Sequence, residues 1–515
     1  MATTFGVVDL FAGPGGLAEG FSKVKDASGH RPFKIELSAE MEASAHQTLL
    51  LRSFLRQFEN DEYPQEYFDA LNSGTTLPDW AESPHRYQWD VAQHEALQLE
   101  LGKDDEVRQI IDLRIDQLKG VYGGNLGIIG GPPCQAYSLV GRSRNRGIAN
   151  YIPEEDHRHY LYKEYIRILT RLEPAFFVME NVKGILSSRV DNRKVFDRIL
   201  EDLQSVQTGD GAGYELMPIA PPAPKLFSST RPTDFIVRAE RFGVPQARHR
   251  VIVVGIRSDI ARKLSPEQKS GGLLTMVAQS TTVRTVLGSM PKLRSNVSRS
   301  SASRDHWFDA MGDAFLAVET AIETSGDPLL AEALRAAKRD FADQASGLPT
   351  LSLGSEDHRA ICNKQLRDWL LNDRLTSVPN HEARSHMRGD LGRYLYAAIF
   401  AQAHNRSPKA HEYPGSLAPS HANWESGKFA DRFRVQDWNH PSTTITSHIS
   451  KDGHYYIHPD PAQCRSLTVR EAARLQAFPD DYFFKGNRTQ QYVQVGNAVP
   501  PYLANQIGNA VLRQL

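Results

Sequence analysis

The sequence predicts an α/β fold, a doubly wound parallel sheet followed by a second, smaller domain. Short apolar runs bounded by turn residues recur along the first half of the chain and alternate with helical segments. Strands that are apolar along their whole length are typical of a parallel sheet covered by helices on both faces. The first such run leads directly into a glycine turn and a helix, and the alternation stops after Arg257.

Five strands are predicted from these runs, at residues 5–10, 32–37, 126–131, 175–179 and 251–256. The segment between the second and third strands is polar and helical, which predicts insertions around the sheet. The loop-rich segment after Arg257 predicts a separate domain, and helical patterning resumes near the C-terminus. The expected boundaries are 1–261 for the first domain, 262–460 for the second and 461–515 for a return to the first.

Composition limits the function classes. The 515 residues suit about two to four domains. With 60 basic and 61 acidic side chains the net charge is -1, so any binding of nucleic acid depends on a local basic patch. Three cysteines without a CxxC pair argue against a disulfide framework and a cysteine zinc site. We expect no metal, no membrane span and a cytoplasmic location.

The motif DLFAGPGG, residues 9–16, is a strand that enters a glycine turn. Glycine lets the backbone approach a ligand closely, and the next helix presents its N-terminus. Glu40, at the end of the second strand, is placed where a carboxylate accepts ribose hydroxyls. The motif also fits a dinucleotide fingerprint or a plain strand turn, so alone it leaves a nucleotide-like cofactor open.

Three further motifs carry reactive side chains at strand ends. GGPPCQAYS, residues 130–138, places Cys134 on a rigid proline turn, where it is either a nucleophile or a buried structural cysteine. MENV places Glu180 at the end of the next strand, as an active-site carboxylate or a helix-terminal one. QARHR carries Arg248 and Arg250 two residues apart, so in a strand both face one site or a solvated edge.

The sequence resembles the DNA cytosine-5 methyltransferase family over most of its length. DLFAGPGG is similar to the first cofactor motif and GGPPCQAYS to the nucleophile motif; MENV, QARHR, RSLTVREAARLQAFPDDY and QVGNAVPP follow in the family's order. The resemblance implies a Rossmann-like methyltransferase sheet with a smaller target-recognition domain. It also implies S-adenosyl-L-methionine as cofactor, with S-adenosyl-L-homocysteine as product.

The resemblance assigns roles to the reactive residues. Cys134 would be the nucleophile that adds to C6 of cytosine, Glu180 would bind N3 and the exocyclic amine, and Arg248 would bind the O2 side, with Arg250 orienting the site. The cofactor-binding residues it implies are Phe11, Gly13, Pro14, Glu40, Met41, Asp90, Val91, Pro133, Leu161, Asn497, Ala498 and Val499. The third cofactor block is short here and is placed at Asp90 and Val91.

The implied substrate is double-stranded DNA, from which the target base must be flipped out. The expected DNA-binding residues are Gln135, Ser138, Arg142, Arg144, Arg146, Thr444 and Ile445. The three arginines lie in GRSRNRG, which is similar to the family's mobile active-site loop and otherwise is a solvated loop. A monomer on the DNA of a prokaryotic nucleoid, associated with a restriction or phage-defence system, is expected.

Three alternatives stay open. A cytosine-5 methyltransferase acting on tRNA is disfavoured because the middle domain is large and a Cys-Phe-Thr tripeptide is missing. A catalytically impaired DNA-binding relative is disfavoured by the presence of Cys134, Glu180 and Arg248. A nicotinamide dehydrogenase would explain the glycine turn alone.

Overall fold

A computed structural model describes most of the chain. The described residues are 3–133, 161–190, 193–209, 211, 213–221, 230–265, 268, 272–299, 303–352, 361, 363–419, 424 and 432–515. Six residues of the predicted site lie outside them: Cys134, Gln135, Ser138, Arg142, Arg144 and Arg146.

The strands fall mostly in the first half of the chain. They are β1 (Phe5–Leu10), β2 (Phe33–Glu40), β3 (Ala96–Gln98), β4 (Leu126–Gly130), β5 (Phe176–Val182), β6 (Arg189–Val190), β7 (Arg193–Lys194), β8 (Tyr214–Met217), β9 (Ile236–Arg238), β10 (Gln246–Ala247), β11 (His249–Arg257) and β12 (Ser442–Thr443).

Helices cover the sheet and fill the second half. They are α1 (Gly16–Ser22), α2 (Ala43–Arg56), α3 (Gln65–Ser73), α4 (Arg86–Glu95), α5 (Asp105–Tyr122), α6 (Leu161–Leu172), α7 (Val195–Ser205), α8 (Ser258–Ala261), α9 (Val283–Leu287), α10 (Arg304–Ser325), α11 (Pro328–Gln344), α12 (Lys364–Leu370), α13 (Arg388–His404), α14 (Val469–Leu475), α15 (Arg488–Asn497) and α16 (Pro501–Leu512).

The central sheet has the strand order β3-β2-β1-β4-β5-β11-β8, with β9 also paired to β11. The first five strands in this order are parallel, and the five predicted strands are all present. The expectation of an all-parallel sheet is wrong at one edge, because β11 runs antiparallel to β5, β8 and β9. An antiparallel edge on a mostly parallel sheet is common in α/β folds.

Alternating side chains of each strand supply two cores, one on each face of the sheet. Val7 of β1 packs with α1 and α16 on one face, while its neighbour Val8 packs with α5, α6 and α7 on the other. Successive side chains of a strand point to opposite faces. This explains why the strands are apolar without alternation, as expected for a doubly wound sheet.

The middle of the chain divides between two cores. Helices α10, α11 and α13 form a separate apolar core around Trp307. Segments before, between and after these helices behave differently, because α9, α12 and Ile445 are buried in the core of the central sheet. The boundaries 262 and 460 therefore stay a prediction, but parts of the segment between them pack against the central sheet.

The C-terminal helix packs against α1, the helix that follows β1. Helix α16 packs so closely on α1 that a Cβ on Gly20 would lie 2.4 Å from Cβ of Ala504. The side-chain amide of Asn505 donates a hydrogen bond to the carbonyl of Gly20 at 3.0 Å. Within the described ranges, none of the helices combines the length and apolar character needed to cross a bilayer.

Candidate active site

The glycine turn after β1 forms the first part of the site. Phe11, Gly13 and Gly15 all have positive φ, at 57°, 57° and 96°. For Phe11 this left-handed conformation is costly, and such strain concentrates at functional sites. Apart from Gly13 itself and its two chain neighbours, no atom of the described residues lies within 4 Å of a Cβ placed on Gly13. The turn therefore leaves open space beside its backbone, immediately before α1.

Glu40 holds this turn from the end of β2. Its Oε2 accepts a hydrogen bond from the Gly13 amide at 2.8 Å, and its Oε1 accepts one from the Glu42 amide at 2.8 Å. Burial of the side chain raises the pKa of Glu40 above its usual value, against these two hydrogen bonds. Each oxygen retains a lone pair that can accept a ligand hydroxyl. Met41, the next residue, is 58% exposed beside it.

Glu180 lies against the residues that lead to Cys134. A Cβ on Gly131 would be 2.8 Å from Glu180 Oε2, so any larger residue there would require the carboxylate to move. The adjacent Asn181 donates from its side-chain amide to the Pro132 carbonyl at 3.0 Å. The MENV strand thus fixes the start of the PPC turn, and the described chain places Glu180 beside it, as the shared sheet edge predicts.

Arg250 is the arginine that reaches Glu180. Its Nε lies 2.8 Å from Glu180 Oε1, and both side chains are largely buried, at 12% and 14% exposed. Its Nη1 also donates to the His249 carbonyl at 2.9 Å. Desolvation lowers the pKa of Arg250, and the neighbouring carboxylate opposes that shift. The pair leaves Glu180 Oε2 on the side of the PPC turn.

Arg248 has a different environment from the one predicted. It is buried, and its guanidinium donates to the carbonyls of Ile445 at 2.7 Å, Gly496 at 3.1 Å and Ala498 at 2.8 Å. The predicted role at the O2 side of the base is therefore corrected, because these contacts direct Arg248 into the protein. Arg248 and Arg250 do not share a face, since Arg248 lies in the break between β10 and β11.

The C-terminal block QVGNAVPP contacts the end of the glycine turn. The Val499 carbonyl lies 2.3 Å from where a Cβ on Gly16 would be, at the first residue of α1. Asn497 is exposed, while Ala498 and Val499 are buried. Of these three predicted cofactor residues, Val499 lies directly against the turn, and the other two precede it in the chain. Pro14 is contacted by the other C-terminal block, because the hydroxyl of Tyr482, the last residue of RSLTVREAARLQAFPDDY, donates to its carbonyl.

Two predicted cofactor residues are misplaced. Asp90 and Val91 lie within α4, and Asp90 is 59% exposed and faces Arg86 at 3.8 Å. The strand beside β2 is instead β3, and its continuation donates from the Leu99 amide to the Glu40 carbonyl at 3.0 Å. Leu161 is near that end, with Cδ2 3.7 Å from a Cβ position on Gly102. The apolar–polar alternation of ALQLEL is the signal that could have located β3.

The predicted DNA contact of Ile445 is also corrected, because its side chain is fully buried in the core. Its amide donates to Gln246 Oε1 at 2.9 Å, and the Thr444 hydroxyl donates to the Ala247 carbonyl at 2.6 Å. The short strands β10 and β12 pair in parallel just before these contacts. The TTITS segment is therefore attached to the QARHR motif by its backbone.

A buried polar cluster lies against α1, the helix that follows the glycine turn. The sequence motifs alone do not reveal it. Arg52 of α2 binds Glu19 of α1 at 2.6 Å, lies 3.5 Å from Asp481, and stacks on the Tyr482 ring at 4.5 Å. An arginine in an amphipathic helix gives no sign of this role. Among the described residues, no three acidic, histidine or cysteine side chains are grouped to hold a metal ion.

Comparisons with known proteins decide the family. The family model of the C-5 cytosine-specific DNA methylases matches residues 107–308 and 358–513. The type II methyltransferase M.Bpa9945I of Bacillus paralicheniformis is 32% identical over 519 residues, which cover 98% of this chain and 98% of that protein. This chain belongs to the C-5 cytosine-specific DNA methylase family.

This methylase is similar to other proteins at lower identity. The DNA (cytosine-5-)-methyltransferase M.ApeKI of Aeropyrum pernix is 27% identical over 427 residues, covering 75% of this chain and 81% of that one. The crystal structure of a prophage-encoded E. coli protein, assigned as a DNA modification methyltransferase, matches with TM-score 0.50, 18% identity and 99% coverage of both chains. That structure supports the Rossmann-like methyltransferase fold.

Family membership confirms the resemblance found in the sequence. The methylase is a DNA (cytosine-5-)-methyltransferase, an enzyme that uses a methyl donor and acts on DNA. The alternative of a nicotinamide dehydrogenase, which depended on the glycine turn alone, is wrong.

Proposed function

We propose that this methylase transfers a methyl group from S-adenosyl-L-methionine to C5 of a cytosine flipped out of double-stranded DNA, within a specific sequence. The proposal depends most on one observation, the Glu180–Arg250 pair against Gly131, three residues before Cys134. A carboxylate and a guanidinium beside a cysteine turn have the chemistry needed to bind and activate a pyrimidine ring.

The residues at the glycine turn fit the cofactor. The open space beside Gly13 admits a ligand against the backbone, and the Glu40 oxygens can accept the two ribose hydroxyls. The exposed Met41 is placed to cover the adenine, and Val499 borders the turn from the C-terminal block. When bound, the cofactor supplies an electrophilic methyl group on a sulfonium. We assign its contacts to Phe11, Gly13, Pro14, Glu40, Met41, Pro133, Leu161, Asn497, Ala498 and Val499.

The protein's groups make C5 reactive. The Cys134 thiolate forms a bond to C6, and the electron pair of the C5–C6 double bond becomes available at C5. C5 takes the methyl group, leaving S-adenosyl-L-homocysteine. A base then removes the C5 proton, the C5–C6 double bond forms again, and the Cys134–C6 bond breaks to return the thiolate. The step needs no external oxidant or reductant.

Glu180 and Arg250 would stabilise the ring during these steps. Glu180 Oε2 faces the start of the PPC turn. We assign it to accept a hydrogen bond from the exocyclic amine of cytosine and to share a proton with N3, which otherwise only accepts. Arg250 balances the carboxylate charge and is assigned to the O2 side. A preorganised charge in a desolvated site stabilises developing charge better than water does. We therefore exchange the two arginine roles implied by the family resemblance, assigning the base to Arg250.

The proposed base flipping and DNA contacts follow from the general chemistry of duplex DNA. A base inside the duplex is inaccessible to a thiolate, so it must be flipped out at a cost of a few kcal/mol. The arginines of GRSRNRG are assigned to the DNA backbone, since phosphate contacts dominate affinity. Gln135, Ser138 and Thr444 stay proposed contacts. A monomer on the DNA of a prokaryotic nucleoid, paired with a type II restriction enzyme, is the setting that we propose.

A covalent trap tests this function. Duplex DNA containing 5-fluorocytosine blocks the final elimination, because fluorine cannot leave as a cation. Wild-type protein with cofactor should form an adduct that survives denaturing electrophoresis, and Cys134→Ala should not, while still binding S-adenosyl-L-homocysteine. The same assay on tRNA tests the alternative substrate. Failure of the wild type to form an adduct with either would favour the impaired relative.

A further inference from the structure

We propose that Arg248 is a positioning residue that couples binding of the cofactor to the conformation of the DNA-side segment Thr444–Ser447. The inference depends on the proposed function, which assigns the segment 497–499 to the cofactor and Thr444 to DNA. It gives Arg248 a role that is separate from the chemistry at the cytosine.

One guanidinium joins the two segments. Nη1 donates to the Ile445 carbonyl at 2.7 Å, and Nη2 donates to the carbonyls of Gly496 and Ala498 at 3.1 and 2.8 Å. These carbonyls come from two parts of the chain that are each assigned to a different ligand. Hydrogen bonds to a charged donor are stronger than neutral ones, and burial removes competing water. A shift of either segment therefore disturbs the other.

Backbone atoms pack tightly against both ends of the segment 496–499. A Cβ on Gly496 would lie 2.3 Å from the Thr446 carbonyl carbon and from the Ser447 amide nitrogen. On the cofactor side, a Cβ on Gly16 would lie 2.3 Å from the Val499 carbonyl oxygen. The segment 496–499 thus touches the cofactor turn at one end and the DNA-side segment at the other.

Arg248 also has chain neighbours that link it to the reacting groups. Gln246, two residues earlier, accepts from the Ile445 amide at 2.9 Å, and Arg250, two residues later, binds Glu180 at 2.8 Å. Desolvation, reinforced by the charge of Arg250, lowers the pKa of Arg248. A desolvated cation held mainly by carbonyls depends on all of them being in place, because each lost acceptor leaves charge uncompensated.

Thermodynamic linkage requires the effects of cofactor and DNA on each other's affinity to be equal. If cofactor binding orders 497–499 and thereby the Ile445 carbonyl, DNA must tighten cofactor binding by the same factor as cofactor tightens DNA binding. Couplings of this kind are typically about 5- to 150-fold. Substitution of Arg248 should reduce the coupling factor, whatever its effect on either affinity alone.

The first experiment measures that factor on the full-length protein. Calorimetry gives the Kd of S-adenosyl-L-homocysteine with and without an unmethylated duplex that contains the recognition sequence. That sequence is mapped beforehand from the sites that become methylated in cells expressing the protein. We expect a coupling of at least about fivefold in the wild type, a partial loss in Arg248→Lys, and a ratio within twofold of unity in Arg248→Met.

Arg257 provides a matched control at the other end of β11. It binds Asp259 at 2.8 Å and the Glu173 carbonyl at 3.0 Å, away from both segments. Arg257→Met should keep the wild-type coupling even though it loses stability. No coupling in the wild type, undiminished coupling in Arg248→Met, or equal loss in Arg257→Met would each overturn the proposal.

Hydrogen exchange on the wild type gives an independent test that needs no variant to fold. S-adenosyl-L-homocysteine, added without DNA, should slow exchange of the amides of residues 445–447 as well as those of 497–499. Slowing confined to the cofactor side would contradict the coupling. Because this measurement involves no turnover, it fails separately from the proposed function, which the covalent trap tests.

Discussion

Arg250 binds Glu180 across two antiparallel strands. The register pairs Arg250 with Val182 and Ile252 with Glu180, so the two charged residues are diagonal neighbours on one face of the sheet. Long side chains can bridge such a diagonal, and here Nε meets Oε1 at 2.8 Å. The sheet itself therefore orients the carboxylate, leaving its second oxygen toward the turn that precedes Cys134.

Arg250→Met should reduce methyl transfer while the cofactor continues to bind. Loss of one preorganised charged donor costs about 10²- to 10³-fold in rate. Single-turnover transfer of labelled methyl to DNA gives the rate, and calorimetry with S-adenosyl-L-homocysteine should give a Kd within about twofold of wild type. A rate above one-tenth of the wild-type value would show that Arg250 does not act on the base.

Gly16→Ala should weaken both the fold and the cofactor site. Its new methyl group would meet the Val499 carbonyl at 2.3 Å, and the obstacle is backbone rather than the end of a flexible side chain. Overpacking of this kind costs about 1–3 kcal/mol. Thermal unfolding and cofactor titration measure the two effects.

Gly312→Ala is the control for that substitution. Gly312 lies inside α10, and among the described residues nothing outside the adjoining turns of that helix is within 4 Å of its Cβ position. Alanine there should stabilise the protein by about 0.5–1 kcal/mol through helix propensity. If Gly16→Ala behaved like Gly312→Ala, the close contact between the glycine turn and the C-terminal block would be wrong.

Ionisation of Asp9 should make the folded protein less stable as the pH rises from acid to slightly above neutral. Its carboxyl is fully buried in β1, and among the described residues it makes no hydrogen bond of good geometry, the backbone amide of Ala18 being its weak neighbour. Burial raises its pKa from 3.8 to about 8, while Arg56 opposes the shift. Between these values the unfolded chain ionises and the folded chain stays protonated, so stability falls as pH rises from about 4 to 8.

Asp9→Asn should remove this pH dependence. The free energy of unfolding of the variant relative to wild type should increase by up to a few kcal/mol across that range, since one pKa unit corresponds to about 1.4 kcal/mol. Denaturant unfolding without cofactor at several pH values measures it. Parallel pH profiles for the two proteins would contradict the assignment.

Protonation of His381 should have the opposite effect and make the folded protein less stable as the pH falls. It is buried, with one ring nitrogen on the Pro291 carbonyl at 2.8 Å and the other on the Thr468 hydroxyl at 2.9 Å. Desolvation lowers its pKa from 6.5 to about 4. As pH falls through this window the unfolded chain gains a proton that the folded chain does not, so stability declines.

His381→Gln should make that decline shallower. The exposed His440, 65% accessible, is the control, and His440→Gln should leave the slope as in wild type. Thermal midpoints between pH 7 and 4 measure both. Equal slopes in all three proteins would exclude His381 as a source of acid sensitivity.

The predicted strands were correct where the sequence carries a local signal. Apolar runs such as VIVVGI mark strands buried on both faces, and the turn residues mark their ends. Strand β3 has only three residues, and its signal is the weaker apolar–polar alternation that continues past it in ALQLEL rather than a continuous apolar run. Asp90 and Val91 were misplaced because an aspartate beside an apolar residue occurs equally in an amphipathic helix such as α4.

The arginine roles could not be derived from spacing. Alternation predicts that Arg248 and Arg250 face the same way, which is true only in a continuous strand. The strand is interrupted at Arg248, whose partner Ile445 is 197 residues away in the chain. Ile445 was misjudged for the same reason, since burial against a distant segment leaves no local signature. Long-range pairing therefore decides the details of the site that local patterns leave open.

The hydrogen bond from Asn505 to Gly20 spans 485 residues of chain. A ribosome adding about 5–20 residues per second needs roughly half a minute to a minute and a half to synthesise that span. Throughout this time the nascent chain carries α1 without the helix that covers it. Premature termination before α16 would leave a polypeptide with an open hydrophobic face, a substrate for chaperones and proteases rather than an enzyme.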